Sequence, residues 1–187
     1  MAIDNQYDTY KIILGNQLHK IRKYLNLSQN AFKESVGIWQ NRISEIENAK
    51  GNIEFETIIK IAYTLKISTI WLWKPNESIE NLQSIPRRKS LDKYVQEEKV
   101  KFGKRLDQIV RDRNITQETL SVLTGIQSAD ITNYIKGNHN ITLYNMVRIS
   151  DNLKIMVKDF FDYNAAMPGK GSFNETIPRK RKPKNNL

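Results

Sequence analysis

The chain has 187 residues, of which 39% are apolar, so it is long enough for one domain or for two small domains with a core each. The absence of cysteine excludes disulfides and thiolate metal sites. Residues 1–10 lack the apolar core of a signal peptide, and no apolar run approaches the roughly 20 residues that span a bilayer, so we expect a cytoplasmic protein without a membrane segment.

Two stretches of the chain repeat each other, and the net charge of +10 favours polyanionic partners such as nucleic acid or an anionic membrane surface. Residues 15–73 align with residues 103–161 without a gap, at an offset of 88 residues. The identities include Gly15 with Gly103, Leu18 with Leu106, Asn26 with Asn114, Gln29 with Gln117, and Leu65-Lys66-Ile67 with Leu153-Lys154-Ile155. Apolar positions carry most of the agreement, which indicates two copies of one core.

The start of each repeat predicts two short helices. Apolar residues share one face of the first helix: Leu14, Leu18, Ile21 and Leu25 in the first repeat, and Phe102, Leu106 and Ile109 in the second. Ser28 and Thr116 are positioned as N-caps of the next helix, because a hydroxyl there accepts a hydrogen bond from an otherwise unpaired N–H. Gly37 and Gly125 end that helix, since glycine permits the left-handed backbone of a tight turn.

A third helix follows each glycine, with Ile43 and Ile46, or Ile131 and Tyr134, facing inward. Two further helical stretches close each core. Their apolar residues are Phe55, Ile58, Ile61, Ala62, Leu65 and Leu72-Trp73 in the first repeat, and Leu143, Met146, Ile149, Leu153 and Phe160-Phe161 in the second. We therefore predict an all-α fold with five helices in each repeat and no sheet.

Polar and basic segments flank the repeats. The basic stretch 86–89 contains a proline and predicts a hinge between the domains, after which Ser90 caps a helix. Residues 178–184 have no apolar side chain and should be disordered in isolation. We expect an N-terminal extension (1–10), a first domain (11–74), a linker with a helix (75–98), a second domain (99–163) and a flexible basic tail (164–187).

Three strings of the first repeat resemble the phage repressor and Cro family of helix-turn-helix domains. They are Leu27-Ser28-Gln29, Gly37-Ile38 and Ile43-Ser44-Glu45-Ile46-Glu47. The second repeat resembles the same pattern with more departures, in Ile115-Thr116-Gln117, Gly125-Ile126 and Ile131-Thr132-Asn133-Tyr134. The resemblance covers about two-thirds of the chain and implies two tandem lambda-repressor-like domains. It also implies that the helix after the glycine, at residues 39–48 and 127–136, enters the DNA major groove.

The resemblance carries base-reading roles onto this helix in each repeat. In the first repeat they fall on Gln40, Asn41 and Glu45, since glutamine and asparagine can pair with adenine and glutamate can accept from cytosine. In the second repeat they fall on Ser128, Ala129 and Asn133, a poorer set of donors and acceptors. The second repeat should therefore read DNA less strictly. The alternative is that these residues are merely solvated on the outer face of a helix.

Contacts to the DNA backbone are expected from a second group of residues. Gln29 and Gln117 match the family position that meets the backbone at a helix N-terminus. The other candidates are Arg42, Lys50, Asn52, Lys136 and Asn140, with Lys23 and Arg105 as additional possibilities. A basic arm formed by Arg179, Lys180, Arg181, Lys182 and Lys184 could enter a minor groove or screen phosphates, or simply solubilise the chain.

Three departures from the family pattern concern packing. Arg22 and Glu47 occupy the places where the family often has an ion pair, and Val110 and Ile135 replace both in the second repeat. The glycine expected after the recognition helix is Gly137 in the second repeat, but the first repeat has Ala49, so its turn could move to Gly51. Trp39 replaces a small helix-capping residue and either contacts DNA or packs on its own domain.

These features predict a sequence-specific DNA-binding transcriptional regulator of repressor type, from a bacterium or phage and associated with the nucleoid. The partner is double-stranded DNA, and we expect no cofactor, no metal and no catalysis. A monomer could cover two unlike half-sites, or a homodimer could bind through one repeat. The competing class is an antitoxin-like or adaptor protein in which one repeat dimerises or grips a protein partner, and an exposed apolar patch on the second repeat would favour it.

Overall fold

The computed structural model describes residues 3–36, 40–82, 84–86 and 89–169. These residues form eight α-helices and three 3-10 helices, and no β-sheet. The α-helices are α1 Ile3–Tyr24, α2 Gln29–Val36, α3 Gln40–Glu47, α4 Phe55–Thr64, α5 Leu91–Asp112, α6 Gln117–Thr124, α7 Ser128–Lys136 and α8 Leu143–Leu153. The 3-10 helices are Thr69–Trp73, Ile79–Asn81 and Val157–Phe160. The predicted all-α fold with two tandem repeats is confirmed, and the fifth helix of each repeat is a 3-10 helix.

The helical elements of the two repeats begin at equivalent residues. Helix α1 begins at Ile3 and α5 begins at Leu91, 88 residues later, and both are 22 residues long. Residues 3–10 and 91–98, which we expected in an extension and a linker, are thus the first turns of α1 and α5. The repeat is longer than the sequence match indicates.

The two repeats also share their left-handed turns. Asn26 and Asn114 follow the first helix with φ of 55° and 54°, a conformation that asparagine adopts more readily than most residues. After the third helix, φ is 73° at Gly137 and 57° at Ala49. The expectation that Gly51 takes over this turn is therefore wrong: Ala49 keeps it, despite the cost of about 1–2 kcal/mol that a Cβ adds there. Gly51, with φ of 69°, is a second left-handed residue in the same loop.

Close contact between the first and third helices of each repeat explains the matched glycines. A Cβ on Gly15 of α1 would lie 2.4 Å from the backbone oxygen of Ile46, and a Cβ on Gly103 of α5 would lie 2.2 Å from that of Ile135. Real Cβ atoms do not approach an oxygen so closely. Only glycine allows these two helix crossings at the observed distance.

The segment between the repeats lies against the first repeat instead of spanning a gap. The backbone N–H of Ile85 donates to the Lys66 carbonyl at 2.6 Å, and the Tyr63 hydroxyl donates to the Lys89 carbonyl at 2.7 Å. The repeats also share a buried aromatic cluster, consisting of Phe55, Trp73, Phe102, Phe160 and Phe161. The expectation of hinged domains is therefore wrong.

A buried arginine fixes the segment after the last 3-10 helix. Arg105 is 3% exposed and donates to the backbone carbonyls of Asp159, Ala165 and Ala166 at 3.0 to 3.2 Å. Its guanidinium is thus used inside the second repeat, so the expectation that Arg105 contacts DNA is wrong. Residues 170–187, which include the basic arm, lie outside the described residues.

Candidate nucleic-acid interface

Helix pairs α2–α3 and α6–α7 form the two helix-turn-helix units. The Ser28 hydroxyl accepts from the Ala31 N–H at 3.0 Å, and the Thr116 hydroxyl accepts from the Thr119 N–H at the same distance. Both side chains therefore occupy the N-cap position that the sequence predicts. Gly125 ends α6 with φ of 61°, in the left-handed region that favours glycine. Residues 37–39, which include Gly37 and Trp39, lie outside the described residues.

The second helix of each unit buries one face in its own repeat. Ile43 and Ile46 of α3 have no exposed surface, and Ile131 and Tyr134 of α7 are 0% and 7% exposed. These residues anchor the helices from the inside. Arg42 and Glu45 of α3 are partly exposed, and Ser128, Ala129 and Lys136 of α7 are exposed, so these residues are available to an external partner.

In α7, two of the three expected base-reading residues are exposed. Ser128 and Ala129 are exposed in the first turn of the helix, whereas Asn133, one turn further on, is half-buried. Asp130 lies between them, with its carboxylate 3.3 Å from Nδ1 of His139. The N-terminal turn of α7 therefore presents two short side chains beside a partly exposed carboxylate.

In α3, an exposed ion pair occupies the same region. Arg42 donates to the Glu45 carboxylate at 2.9 Å and to the backbone carbonyl of Asn52 at 2.6 Å. The two side chains are 28% and 45% exposed, so the ion pair contributes little to stability. Its members can therefore exchange this contact for contacts with a ligand. Gln40 and Asn41 belong to the first turn of α3, but their side chains are not among those described.

A buried network joins α1, α2 and α3 behind this surface. Arg22 and Glu47 form a bidentate ion pair at 2.5 and 2.9 Å, and each side chain is 5% exposed. Gln29, the first residue of α2, donates to the same carboxylate at 2.8 Å, and His19 lies 3.2 Å from it. Burial raises the pKa of the Glu47 carboxyl, but hydrogen bonds from Arg22, Gln29 and His19 lower it more, so the pKa lies below its ordinary value. The helix-turn-helix unit of the first repeat is therefore held by an ionised glutamate.

The second repeat holds the same helices without a charge. Val110 is 2% exposed and Ile135 is half-buried at the positions of the ion pair. The matched glutamine still connects the two helices, because Oε1 of Gln117 accepts from the Thr132 hydroxyl at 2.9 Å. In both repeats, the glutamine expected to meet the DNA backbone thus also ties the first helix of the unit to the second.

The expected backbone contacts in the loops after α3 and α7 fall into two groups. Lys50 and Lys136 are exposed. Asn52 and Asn140 have a role between the repeats: the Oδ1 of Asn52 accepts from the backbone N–H of Tyr144 at 3.3 Å, and the Oδ1 of Asn140 accepts from that of Glu56 at 2.9 Å. The loops that follow α3 and α7 therefore also join the two repeats.

Sequence reasoning missed Tyr7, which braces the first of these loops. Its hydroxyl donates to the Gly51 carbonyl at 3.0 Å and to Oδ1 of Asn52 at 3.1 Å. Burial is the main reason that the pKa of Tyr7 is raised above its ordinary value. The equivalent residue in the second repeat is Val95, so the comparison of the repeats gave no signal at this position.

Two family models match the chain, and they coincide with the two repeats. A model described as helix-turn-helix matches residues 18–72, and a model described as the Cro/C1-type helix-turn-helix DNA-binding domain matches residues 105–166. The chain therefore contains two tandem XRE-like helix-turn-helix domains, as the repeat predicts. The second of them matches the Cro/C1-type model. No curated protein matches the chain significantly.

Cro/C1-type domains indicate a DNA-binding regulator, and families of this type are typically not enzymes. In the described part of the chain, no group of three or more histidine, cysteine or acidic residues is arranged to hold a metal ion. Nor is any helix there long and apolar enough to cross a membrane. The positive charge of the chain suits a DNA partner.

Proposed function

We propose that the chain is a sequence-specific transcriptional regulator that binds double-stranded DNA and reads its major groove through α3 and α7. The observation that carries this proposal is the coincidence of the two family matches, the second of Cro/C1 type, with the two helix-turn-helix units. The second helix of each unit has a buried face and also carries exposed or partly exposed residues. In such units the second helix reads base edges with its N-terminal residues. Repression of transcription, in a bacterial or phage-infected cytoplasm, is the mode of action that we favour.

The two recognition helices carry different chemistry. Gln40, Asn41 and Glu45 of α3 offer amide donors and acceptors for adenine and a carboxylate for the cytosine amino group. In the free protein Arg42 neutralises Glu45, and binding would release Arg42 to a nearby phosphate. The short side chains of Ser128 and Ala129 allow α7 close contact with the groove but fewer base-specific bonds. Asn133 is its one amide.

Contacts to phosphates would set the position of the protein on the duplex. Gln29 and Gln117 sit at the N-terminal ends of α2 and α6, where free N–H groups favour an anion, and Lys50 and Lys136 add exposed charges. The basic arm would contribute affinity that is independent of sequence and sensitive to salt.

The test is selection of bound sequences from a randomised duplex pool by the wild type and by a Gln40→Ala/Asn41→Ala/Glu45→Ala variant. The wild type should enrich a motif of two halves, and the variant should lose preference in one half, since each lost bidentate contact removes about 1–3 kcal/mol of discrimination. A Gln108→Ala/Asp112→Ala/Asn164→Ala variant changes three exposed residues outside α3 and α7 with the same change in charge, and it should keep the motif. An unchanged motif in the α3 variant would refute base reading by these residues.

A second candidate function is protein binding through the second repeat. Val122 and Leu123 of α6 are 83% and 52% exposed, whereas the first repeat has Glu34 and Ser35 at the equivalent positions. An exposed apolar pair at this position is what an antitoxin-like or adaptor protein would present to a partner. The pool selection separates the two functions, because a wild-type chain that enriches no sequence would favour the protein-binding role.

A further inference from the structure

The contact between the two repeats, which we call the junction, is centred on a pair of equivalent residues. Glu54 and Thr142, which are 88 residues apart, form an isolated antiparallel β-bridge. The N–H of Phe55 donates to the Ile141 carbonyl at 2.8 Å, and the N–H of Leu143 donates to the Ile53 carbonyl at 2.7 Å. Exchanging the two repeats exchanges these two hydrogen bonds. That is the property of a contact about a two-fold axis.

Two side-chain hydrogen bonds on either side of the bridge are also equivalent between the repeats. The Asn140 amide oxygen accepts from the N–H of Glu56, near the start of α4, while the equivalent Asn52 oxygen accepts from that of Tyr144, near the start of α8. The loop after α3 and the loop after α7 therefore each provide an acceptor for a free N–H group at the N-terminus of a helix in the other repeat. The loops and the junction are parts of one structure.

The outer part of the junction repeats the pattern between helices. Tyr10 of α1 accepts from the N–H of Val157 at 3.2 Å, and Glu98 of α5, its equivalent, accepts from the hydroxyl of Thr69, the equivalent of Val157, at 3.5 Å. Trp73 stacks on its own equivalent, Phe161, with ring centres 5.5 Å apart and planes 11° from parallel. The whole junction is therefore approximately two-fold symmetric.

The side chains of the first repeat in this junction fit those of the second repeat. They would not fit a second copy of the same repeat. Gln6 of α1 donates to Asp151 of α8 at 3.1 Å, whereas the equivalent pair is Tyr94 of α5 against Tyr63 of α4, with ring centres 5.3 Å apart. Pairing two first repeats would set Gln6 against Tyr63, and pairing two second repeats would set Tyr94 against Asp151. Because this isologous surface is already filled within the chain, a second chain cannot dimerise through it.

The loops limit the distance between the recognition helices. Seven residues lead from Glu47, at the end of α3, to Glu54, and six lead from Lys136, at the end of α7, to Thr142. Even fully extended loops, at about 3.6 Å per residue, with paired residues about 5 Å apart, keep the two helix ends within about 52 Å. Adding half of each helix keeps the helix centres within about 65 Å, which admits one DNA turn of about 34 Å and excludes two turns of about 68 Å.

We infer that one chain is an intramolecular pseudo-dimer that occupies a single composite DNA site, made of two unlike half-sites one helical turn apart. The inference rests on the proposed function, since it names the DNA that α3 and α7 read together. Each repeat reads one half-site, and the filled junction keeps the protein monomeric. The DNA bound is thus an asymmetric duplex whose two half-sites have opposite orientations and different sequences.

Mass and spacing test this inference with the full-length chain. Sedimentation should give 21.9 kDa for the free protein, and native mass spectrometry should give one chain on each duplex selected from the randomised pool. Inserting five base pairs between the two halves should weaken binding on the order of 100-fold, because the second half turns to the opposite side of the duplex. Inserting ten base pairs should weaken binding to a similar extent, because two turns exceed the reach of the loops.

The outcomes separate the inference from the function on which it rests. A palindromic motif bound by two chains would overturn the pseudo-dimer and leave the DNA-binding function intact. Tolerance of the ten-pair insertion but not of the five-pair insertion would also overturn it, because that pattern requires a junction that opens. A pool with no enriched sequence would remove the proposed function, and the inferred composite site with it.

Discussion

Replacing Gly103 by alanine should lower the free energy of unfolding by about 2 kcal/mol or more, although alanine is the better helix former. The new Cβ would lie 2.2 Å from the backbone oxygen of Ile135 and 2.5 Å from that of Tyr134. Both atoms belong to the backbone of α7, so no side chain can rotate away and the helices must separate. Overpacking of this kind costs about 3 kcal/mol, against a gain in helix propensity of about 1 kcal/mol.

Urea denaturation of the matched alanine variants measures this effect. Gly15→Ala should destabilise the chain as well, but less, since its nearest backbone oxygens lie at 2.4 and 3.0 Å. Gly169→Ala is the control, because nothing lies within 4 Å of its added Cβ, and its stability should match that of the wild type. A Gly103→Ala variant as stable as the wild type would contradict the close crossing of α5 and α7.

Removing one member of the buried ion pair should cost far more than removing both. Arg22→Val leaves the Glu47 carboxylate buried with only Gln29 and His19 as partners, and we expect a loss of about 2–3 kcal/mol in the free energy of unfolding at pH 7. The double variant Arg22→Val/Glu47→Ile installs the residues that the second repeat uses at the same positions. Its stability should fall within about 1 kcal/mol of the wild type.

The pH dependence of the same variants provides a second readout. The pKa of Glu47 is lowered in the folded protein, so its contribution to stability is fully present above the ordinary glutamate pKa of about 4.3. That contribution is lost as the pH falls through the lowered pKa. Between about pH 5 and pH 3, the wild type should therefore lose stability relative to the double variant, which lacks the carboxyl. Parallel pH profiles, or a double variant as unstable as Arg22→Val, would refute the account of the network.

The helices within each repeat could be predicted because their signals are local. Apolar residues at helical spacing, hydroxyl caps such as Ser28 and Thr116, and the turn residues Asn26 and Asn114 act within a few positions of the chain. The turn at Ala49 departs from the prediction, which moves the turn to Gly51 because the expected glycine is missing. The cost of a left-handed alanine, about 1–2 kcal/mol, is no larger than the roughly 1.5–3 kcal/mol gained by keeping Ile46 buried.

The junction between the repeats could not be predicted, because its residues look like ordinary core residues. The helical pattern places Trp73 and Phe161 in the closure of their own repeats, because periodicity cannot distinguish an apolar side chain that faces its own core from one that faces a neighbour. The sequence indicates DNA phosphates as the partners of Asn52 and Asn140, and in the structure both also act as acceptors for the other repeat. The base-reading residues came from the resemblance alone.

Methylation protection of guanine N7 on the selected duplex tests the central claim most directly, because N7 lies in the major groove. Bound by the full-length chain, the duplex should show two protected segments on one side, with centres about ten base pairs apart and with different sequences. Protection of a single segment would contradict joint reading by α3 and α7. So would two segments of identical inverted sequence.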